Sequence, residues 1–107
     1  RWNTFLIVPE LHRLLLESQA GPNEIWITEY GAPTGSHSRS LAEADQATLI
    51  LDALQAAADW PWTGPTFLYA FRDFRNDPEN LEWNYGIVGN DGTPKQAWHE
   101  LLSRQSQ

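Results

Sequence analysis

The chain has 107 residues, of which 41% are apolar and 12% aromatic, enough for one modest hydrophobic core and too many for a disordered tail. Seven Lys and Arg residues stand against fourteen Asp and Glu residues, so the net charge is -7. This charge argues against nucleic acid and anionic membrane surfaces as partners. Cysteine is absent, which excludes disulfides and thiolate chemistry but does not identify a cellular compartment.

The sequence contains no methionine and starts at Arg1, so we expect it to be part of a longer polypeptide. No apolar run approaches the roughly 18 residues that a membrane-spanning helix needs, so no membrane insertion is expected. No signal-peptide pattern is present, and a signal would lie upstream of Arg1. The compartment stays open, and a secreted or cell-envelope location is compatible with the sequence.

Apolar residues at helical spacing predict a first helix from residue 4 to about residue 19. The run Ile25–Tyr30 is rich in β-branched and aromatic side chains and predicts a buried strand. Alternation along that strand would place Glu29 on the same face as Ile25 and Ile27.

Residues 31–39 are rich in Gly, Pro, Ser and Thr and predict a loop. The loop ends at Ser40-Leu41-Ala42-Glu43, a Ser-x-x-Glu capping box that predicts a helix from about residue 41 to residue 59. The predicted buried stripe of this helix consists of Ala47, Leu51, Leu54 and Ala58. A second strand is predicted at residues 66–71.

A polar loop is predicted at residues 74–84, then a short extended piece at 85–88 and a turn at 90–92. Thr93-Pro94-Lys95-Gln96 reads as a second capping box, with Pro94 at the first helical position of a last helix. A helix between two strands implies that the strands pair in parallel. The fold class is therefore α/β, and the parallel sheet belongs either to an open doubly wound sheet or to a closed (β/α)8 barrel.

In both architectures the chemistry lies at the carboxyl ends of the strands, which here carry Glu29-Tyr30 and Arg72-Asp73. Glu29 is the first candidate, a carboxylate that ends an apolar strand and would face a cleft; the alternative is an edge glutamate facing solvent. Arg72 and Asp73 could form an ion pair or could bind sugar hydroxyls and a carboxylate; the alternative is a structural salt link that holds the long loop.

Two loop residues are further candidates. Trp83 lies in a polar loop and could stack against a sugar ring. His37 follows Glu29 in the next loop, where the alternatives are a cleft contact and a solvated side chain. The sequence shows no His-x-x-x-His pair, calcium-loop spacing or phosphate-binding glycine loop, so no metal or other cofactor is expected.

Three segments, in order, carry a family resemblance: residues 25–31 (IWITEYG), residues 67–73 (FLYAFRD), and residues 85–88 (YGIV) with 91–95 (DGTPK). Together they resemble the last quarter of a retaining glycoside hydrolase of clan A, with the cellulase-like family 5 and family 39 as the nearest matches. The resemblance implies that residues 1–107 form the C-terminal segment of a (β/α)8 TIM barrel, comprising helix 6 and strand-helix units 7 and 8.

The resemblance further implies that Glu29 is the catalytic nucleophile acting on a β-linked polysaccharide or glycoside. Hydrogen-bond donors from tyrosine or arginine would be expected to keep its carboxylate ionised. The acid/base of this clan lies in an Asn-Glu pair after the fourth strand, and this sequence has no such pair, so it would lie upstream. The family's aromatic sugar platform would correspond to Tyr69 or Phe71, and the sequence leaves open which of them faces the cleft.

The candidate substrate-binding residues, from the strand ends, the loops and the resemblance taken together, are Tyr30, His37, Tyr69, Phe71, Arg72, Asp73 and Trp83. The chain would need the rest of the barrel, or a partner chain, to complete the fold, and would be inactive alone. Two other interpretations stay open: a carbohydrate-binding barrel without catalysis, and a structural α/β domain in which Glu29 has no catalytic part.

Overall fold

The computed structural model describes residues 4–19 and 24–105. In chain order the elements are a 3-10 turn Thr4–Ile7, helix α1 Val8–Glu17, strand β1 Ile25–Tyr30, helix α2 Glu43–Asp59, strand β2 Thr63–Leu68, a second 3-10 turn Leu81–Trp83 and helix α3 Gln96–Gln105. The predicted order of elements is confirmed, and the bounds of β1 are those expected. Within the described residues, no helix is both long enough and apolar enough to cross a membrane.

The two strands form a parallel pair, as expected, with Ile27 opposite Thr66 and Tyr30 opposite Leu68. The bounds predicted for β2 are wrong, because the strand begins at Thr63 and ends at Leu68. After Leu68 the chain no longer follows β1 and bonds to a later segment instead: the Ala70 amide donates to Tyr85 O at 2.9 Å. Residues 70–72 therefore bond to residues 85–88 instead of lengthening the pair with β1.

The helices cover one face of this sheet through two apolar clusters, both of which include α2. The first cluster joins α2 to α3 and to the segment at 87–88, with Ala47, Ile50, Ile87, Val88 and Ala97 buried. The second joins α2 to β1 and to the first 3-10 turn, with Phe5, Ile27, Ala53 and Ala57 buried. Burial of these groups drives the strands against the helix layer.

The buried stripe of α2 differs in part from the predicted one. Ala47 and Leu51 are buried as expected, but Leu54 is half-buried and Ala58 is exposed. A second row, spaced by three or four residues, is buried as well, and it consists of Gln46, Ile50, Ala53 and Ala57. The stripe is wider than predicted because α2 packs against both β1 and α3.

Both predicted capping boxes are wrong. Helix α2 begins at Glu43 with Ala42 as its N-cap, and the buried Ser40 hydroxyl has no hydrogen-bond partner among residues 4–19 and 24–105. Helix α3 begins at Gln96, whose amide donates to Glu43 Oε1 of α2 at 2.9 Å. Pro94 lies before this helix and bridges to Val88. The first turn of α3 is thus capped by a neighbouring helix, because α2 packs against α3.

Candidate active site

Glu29 lies at the carboxyl end of β1, on the sheet face that the helices leave open. The prediction that it shares a face with Ile27 is wrong, because the register of β1 shifts between Ile27 and Tyr30. Ile27 is buried in the helix layer, and the Tyr30 ring packs 4.8 Å from the Phe5 ring in that same layer. Alternation from Tyr30 then places Glu29, which is exposed, on the opposite face.

The same two strands carry two exposed aromatic residues. The Trp26 side chain is 56% exposed and the Phe67 side chain is 50% exposed. They belong to the two paired strands, and Trp26 Nε1 donates to Glu24 Oε1 at 2.6 Å near the start of β1. In a closed barrel the face that carries Glu29 would be interior, and a carboxylate at its rim would stand over a packed core.

The Glu29 carboxylate has no hydrogen-bond or ion-pair partner among residues 4–19 and 24–105. The tyrosine and arginine donors expected around it are therefore not supplied by this part of the chain.

The two strand ends are held against each other beside Glu29. The Tyr69 amide donates to Tyr30 O at 2.8 Å. Gly31 lies so close to this point that a Cβ placed on it would stand 1.7 Å from Tyr69 O, so no larger residue fits. The peptide bond between Tyr69 and Ala70 is cis.

The two aromatic candidates of the second strand end point to different surroundings. The Tyr69 ring packs 5.6 Å from the ring of Tyr85, at the strand ends. The Phe71 ring meets Trp98 of α3 edge-on at 5.9 Å, which turns it toward the helix layer.

Burial raises the pKa of Tyr85, with a further contribution from the Glu82 carboxylate. Burial likewise raises the pKa of Tyr30, assisted by Asp52.

Arg72 and Asp73, adjacent in sequence, have separate surroundings. Arg72 is exposed, and its guanidinium donates to Asn90 O from Nε at 2.8 Å. The Asp73 side chain is only 8% exposed, and its Oδ1 accepts from Lys95 Nζ at 2.8 Å. Asp73 Oδ1 also accepts from the Gly86 amide at 2.8 Å. These contacts match the structural salt link that was the alternative for Asp73.

The two loop candidates are both half-buried. His37 Nδ1 accepts from the Arg39 amide at 3.0 Å, so this ring nitrogen takes part in the turn of its own loop. The guanidinium carbon of Arg75 lies 4.9 Å from the centre of the Trp83 ring. One face of Trp83 is therefore covered by a cation, and a sugar could stack only on the other.

Two buried polar side chains that the sequence patterns did not single out bond to the loops that follow β1 and β2. Gln46 is fully buried in α2, and Lys95, the only lysine in the chain, is 6% exposed. The spacing of Gln46 from Ile50, Ala53 and Ala57 is the signal that could have indicated its burial. The pairing of Lys95 with Asp73 spans 22 residues, and no local pattern indicates it.

Glu29 lines none of three clefts found in the described part of the chain. A polar cleft of about 480 Å³ lies between the loop after β1 and the loops after β2, with Thr34, Arg75, Asn84 and Asn90 in its walls. A second cleft, of about 450 Å³, lies between the first 3-10 turn and α2. Among the described residues, no group of three or more His, Asp or Glu side chains is placed to hold a metal ion.

Comparison with solved structures relates this arrangement to glycoside hydrolases. A GH2 β-galacturonidase from Eisenbergiella tayi, bound to galacturonate, matches with a TM-score of 0.74 and 23% identity over 96% of this chain and 21% of that chain. A β-glucuronidase from Bifidobacterium dentium, complexed with coumarin-3-O-glucuronide, matches with a TM-score of 0.66 and 27% identity over 92% and 17%. A family 39 glycoside hydrolase from Bacteroides cellulosilyticus matches with a TM-score of 0.66 and 24% identity over 84% and 18%.

These matches show the fold: the chain has the mixed α/β fold, with two parallel strands, of a segment of glycoside hydrolases from families 2 and 39. It spans about a fifth of those proteins, 17–21% of their length. No protein-family model matches the chain, and no curated protein matches it in sequence.

Proposed function

We propose that the chain is the C-terminal segment of a (β/α)8 glycoside hydrolase that cleaves β-linked glycosides with retention, and that Glu29 is the nucleophile. The position of Glu29 carries the proposal. It is an exposed carboxylate at the carboxyl end of a parallel strand, on the face away from the helices, in a fold shared with glycoside hydrolases. Catalytic residues of barrel enzymes lie at such strand ends.

The proposed reaction uses two carboxyl groups about 5 to 5.5 Å apart. Glu29 attacks the anomeric carbon, the glycosidic bond breaks, and the leaving oxygen takes a proton from a carboxylic acid. Water then hydrolyses the glycosyl-enzyme, with the second carboxyl group acting as base. In this proposal the second carboxyl group lies upstream of Arg1, in an Asn-Glu pair of the family kind.

Tyr69 is the proposed sugar platform. Its ring packs near Tyr85 at the strand ends, whereas Phe71 packs against Trp98 in the helix layer. Aromatic faces favour the apolar C–H faces of sugars. Arg72, Trp83 and His37 lie on the surrounding loops, where they would contact further sugar units. We leave Asp73 out of the proposed substrate contacts because Lys95 and Gly86 occupy its Oδ1.

The names of the similar solved structures suggest one part of the substrate class. Two of them are described as enzymes of β-galacturonides and β-glucuronides, so uronides belong in the first substrate panel. The cellulase-like resemblance adds neutral β-glucosides and β-xylosides. A uronide carboxylate needs a cation, and the described loops offer Arg72 and Arg75 for that role.

The test is Glu29→Gln in the full-length polypeptide, assayed with nitrophenyl β-glucuronide, β-galacturonide, β-glucoside and β-xyloside. Removing the nucleophile should lower turnover by at least about a thousandfold, because covalent catalysis is lost while the fold is kept. Glu24→Gln is the matched control: it changes the same residue type at the other end of the same strand, next to Trp26. That variant should retain activity.

A mechanism-based label gives a second line of evidence. A 2-fluoro glycoside should trap a covalent adduct, and peptide mapping should locate it on Glu29. An adduct on another residue, or full activity in Glu29→Gln, would refute the assignment. Sugar binding without turnover in the parent protein would favour the carbohydrate-binding barrel instead, and loss of stability alone on substitution would favour the structural domain.

A further inference from the structure

Gln46 and Lys95 form a buried polar clamp that joins the loops at the strand ends. The Gln46 side chain reaches out of α2 and donates from Nε2 to two carbonyls, Ala32 O at 2.9 Å and Gly86 O at 3.0 Å. Ala32 lies in the loop after β1, and Gly86 lies in the segment that bonds to residues 70–72, after β2. One side chain therefore bonds to both loop segments.

The amide of a glutamine side chain suits these two acceptors. Both partners are carbonyl oxygens, so the bridging group must supply two N–H donors from one atom, which a carboxylate cannot do. The other amide atom, Gln46 Oε1, is buried with no hydrogen-bond partner among the described residues. A buried acceptor without a partner costs free energy, so the two donated bonds must offset that cost.

Lys95 provides the second half of the clamp. Its Nζ donates to Thr34 Oγ1 at 2.8 Å, to Asp73 Oδ1 at 2.8 Å and to Asn84 O at 3.4 Å. These contacts engage the three N–H groups of the ammonium. They join the loop after β1 to the chain after β2 and to the segment that leads to Tyr85, and the Thr34 amide adds a bond to Asn84 O at 3.0 Å.

The clamped segments are the two sides of the proposed site. Ala32 and Thr34 follow Glu29 by three and five residues on one side, and Asn84 and Gly86 flank Tyr85 on the other. Glu29 itself has no side-chain partner among the described residues that would fix its place. Its position relative to the aromatic pair Tyr69 and Tyr85 therefore depends on the backbone, which is held by the bond from the Tyr69 amide to Tyr30 O and, in the loops that follow, by the clamp.

We infer that Gln46 and Lys95 are positioning residues, which set the distance between the nucleophile strand and the aromatic pair Tyr69 and Tyr85; the inference rests on the proposed function. They act through the loop backbone and do not contact the sugar. Displacement of a reacting group by about 1 Å can cost roughly a hundredfold in rate, so a loosened clamp lowers kcat more than it raises KM.

The most selective test is Thr34→Val. Valine keeps the shape of threonine but removes the hydroxyl that accepts from Lys95, while the buried pair of Lys95 with Asp73 stays intact. In the full-length polypeptide, kcat on the best nitrophenyl glycoside should fall about tenfold, with KM changed less than about threefold. Thr34→Ser keeps the hydroxyl and should restore most of kcat. Thr48→Val, an exposed position of α2, is the matched control and should leave both constants unchanged.

A second variant and a second readout separate positioning from folding. Gln46→Met keeps the length of the side chain and removes both donors. In Gln46→Met and Thr34→Val, amide hydrogen exchange should speed up at Thr34 and in the loop after it, while the amides of α2 and α3 keep their protection. Faster exchange throughout the helices would mean general destabilisation and would overturn the positioning role.

The outcomes distinguish the inference from the function on which it rests. If Glu29→Gln abolishes turnover and Thr34→Val keeps the parent kcat, the clamp has no positioning role and the proposed function stands. If Thr34→Ser loses as much kcat as Thr34→Val, the hydroxyl is not the operative contact, and the inference is wrong. If Glu29→Gln remains active, the proposed function fails and the inference fails with it.

Discussion

Replacing Lys95 by methionine should cost a large share of the stability of this protein. The Lys95 and Asp73 side chains are each 8% exposed, and their charged atoms are 2.8 Å apart. Methionine has a similar length, so the substitution leaves little cavity. It does leave the Asp73 carboxylate buried with only the Gly86 amide bonded to its Oδ1, and it removes the donors to Thr34 and Asn84.

Breaking a buried ion pair by removing one partner costs about 3–5 kcal/mol, because an uncompensated charge stays in a region of low polarity. The unfolding free energy of a typical domain is roughly 5–15 kcal/mol, so this loss would be visible in any unfolding experiment. Adding Asp73→Asn removes the stranded charge and keeps an oxygen for the Gly86 amide. The double variant should therefore recover at least about 1 kcal/mol relative to the sum of the single losses.

The assay is urea unfolding of the intact protein, followed by fluorescence of its six tryptophans. Arg13→Met is the control, since it also replaces a cation by methionine but breaks only the exposed pairs with Glu10 and Glu17. Its unfolding midpoint should stay at that of the parent. A loss below about 1 kcal/mol for Lys95→Met, or additive single losses, would refute the picture of a tightly coupled buried pair.

Two further predictions concern the strand ends. Gly31→Ala should destabilise the protein by about 1–3 kcal/mol and lower turnover, because its Cβ would stand 1.7 Å from Tyr69 O and force the strand ends apart; a parent-like melting temperature and kcat would contradict this. The raised pKa values of Tyr30 and Tyr85 mean that the folded state holds their protons more tightly, so stability should fall as pH rises above about 10, the ordinary tyrosine value. Tyr30→Phe with Tyr85→Phe should flatten that fall in urea unfolding between about pH 9 and 11, and an unchanged slope would show that these tyrosines do not cause it.

The elements themselves were readable from the sequence because their signals are local. The β-branched and aromatic run at Ile25–Tyr30 forms the strand that was predicted, and the helical spacing before it forms the first 3-10 turn and α1. Parallel pairing of the strands followed from the helix between them. Each of these inferences needs only the periodicity of a short stretch of chain.

The helix starts were not readable, because a cap can come from elsewhere in the chain. Ser40 and Thr93 have the local pattern of N-caps, yet the N-cap of α2 is Ala42 and the first amide of α3 is bonded to Glu43. The packing of α2 against α3 brings Glu43 to that amide across 53 residues. A capping motif indicates which side chains could accept from the backbone N–H groups of the first helical turn, but it does not indicate whether another part of the chain already bonds to those N–H groups.

In the candidate site, too, some features could be predicted from local sequence and others depend on tertiary contacts. Glu29 could be singled out because a carboxylate that ends an apolar strand is conspicuous in sequence, while its sheet face could not, because a register shift after Ile27 reverses the alternation. The same limit applies to Asp73, which reads as a possible sugar ligand until its 22-residue link to Lys95 is seen. The sequence by itself determined the order of elements and the carboxylate at the strand end, since both depend on neighbouring residues. Only the tertiary structure decided which polar groups are buried and which face Glu29 occupies, because long-range packing sets those contacts.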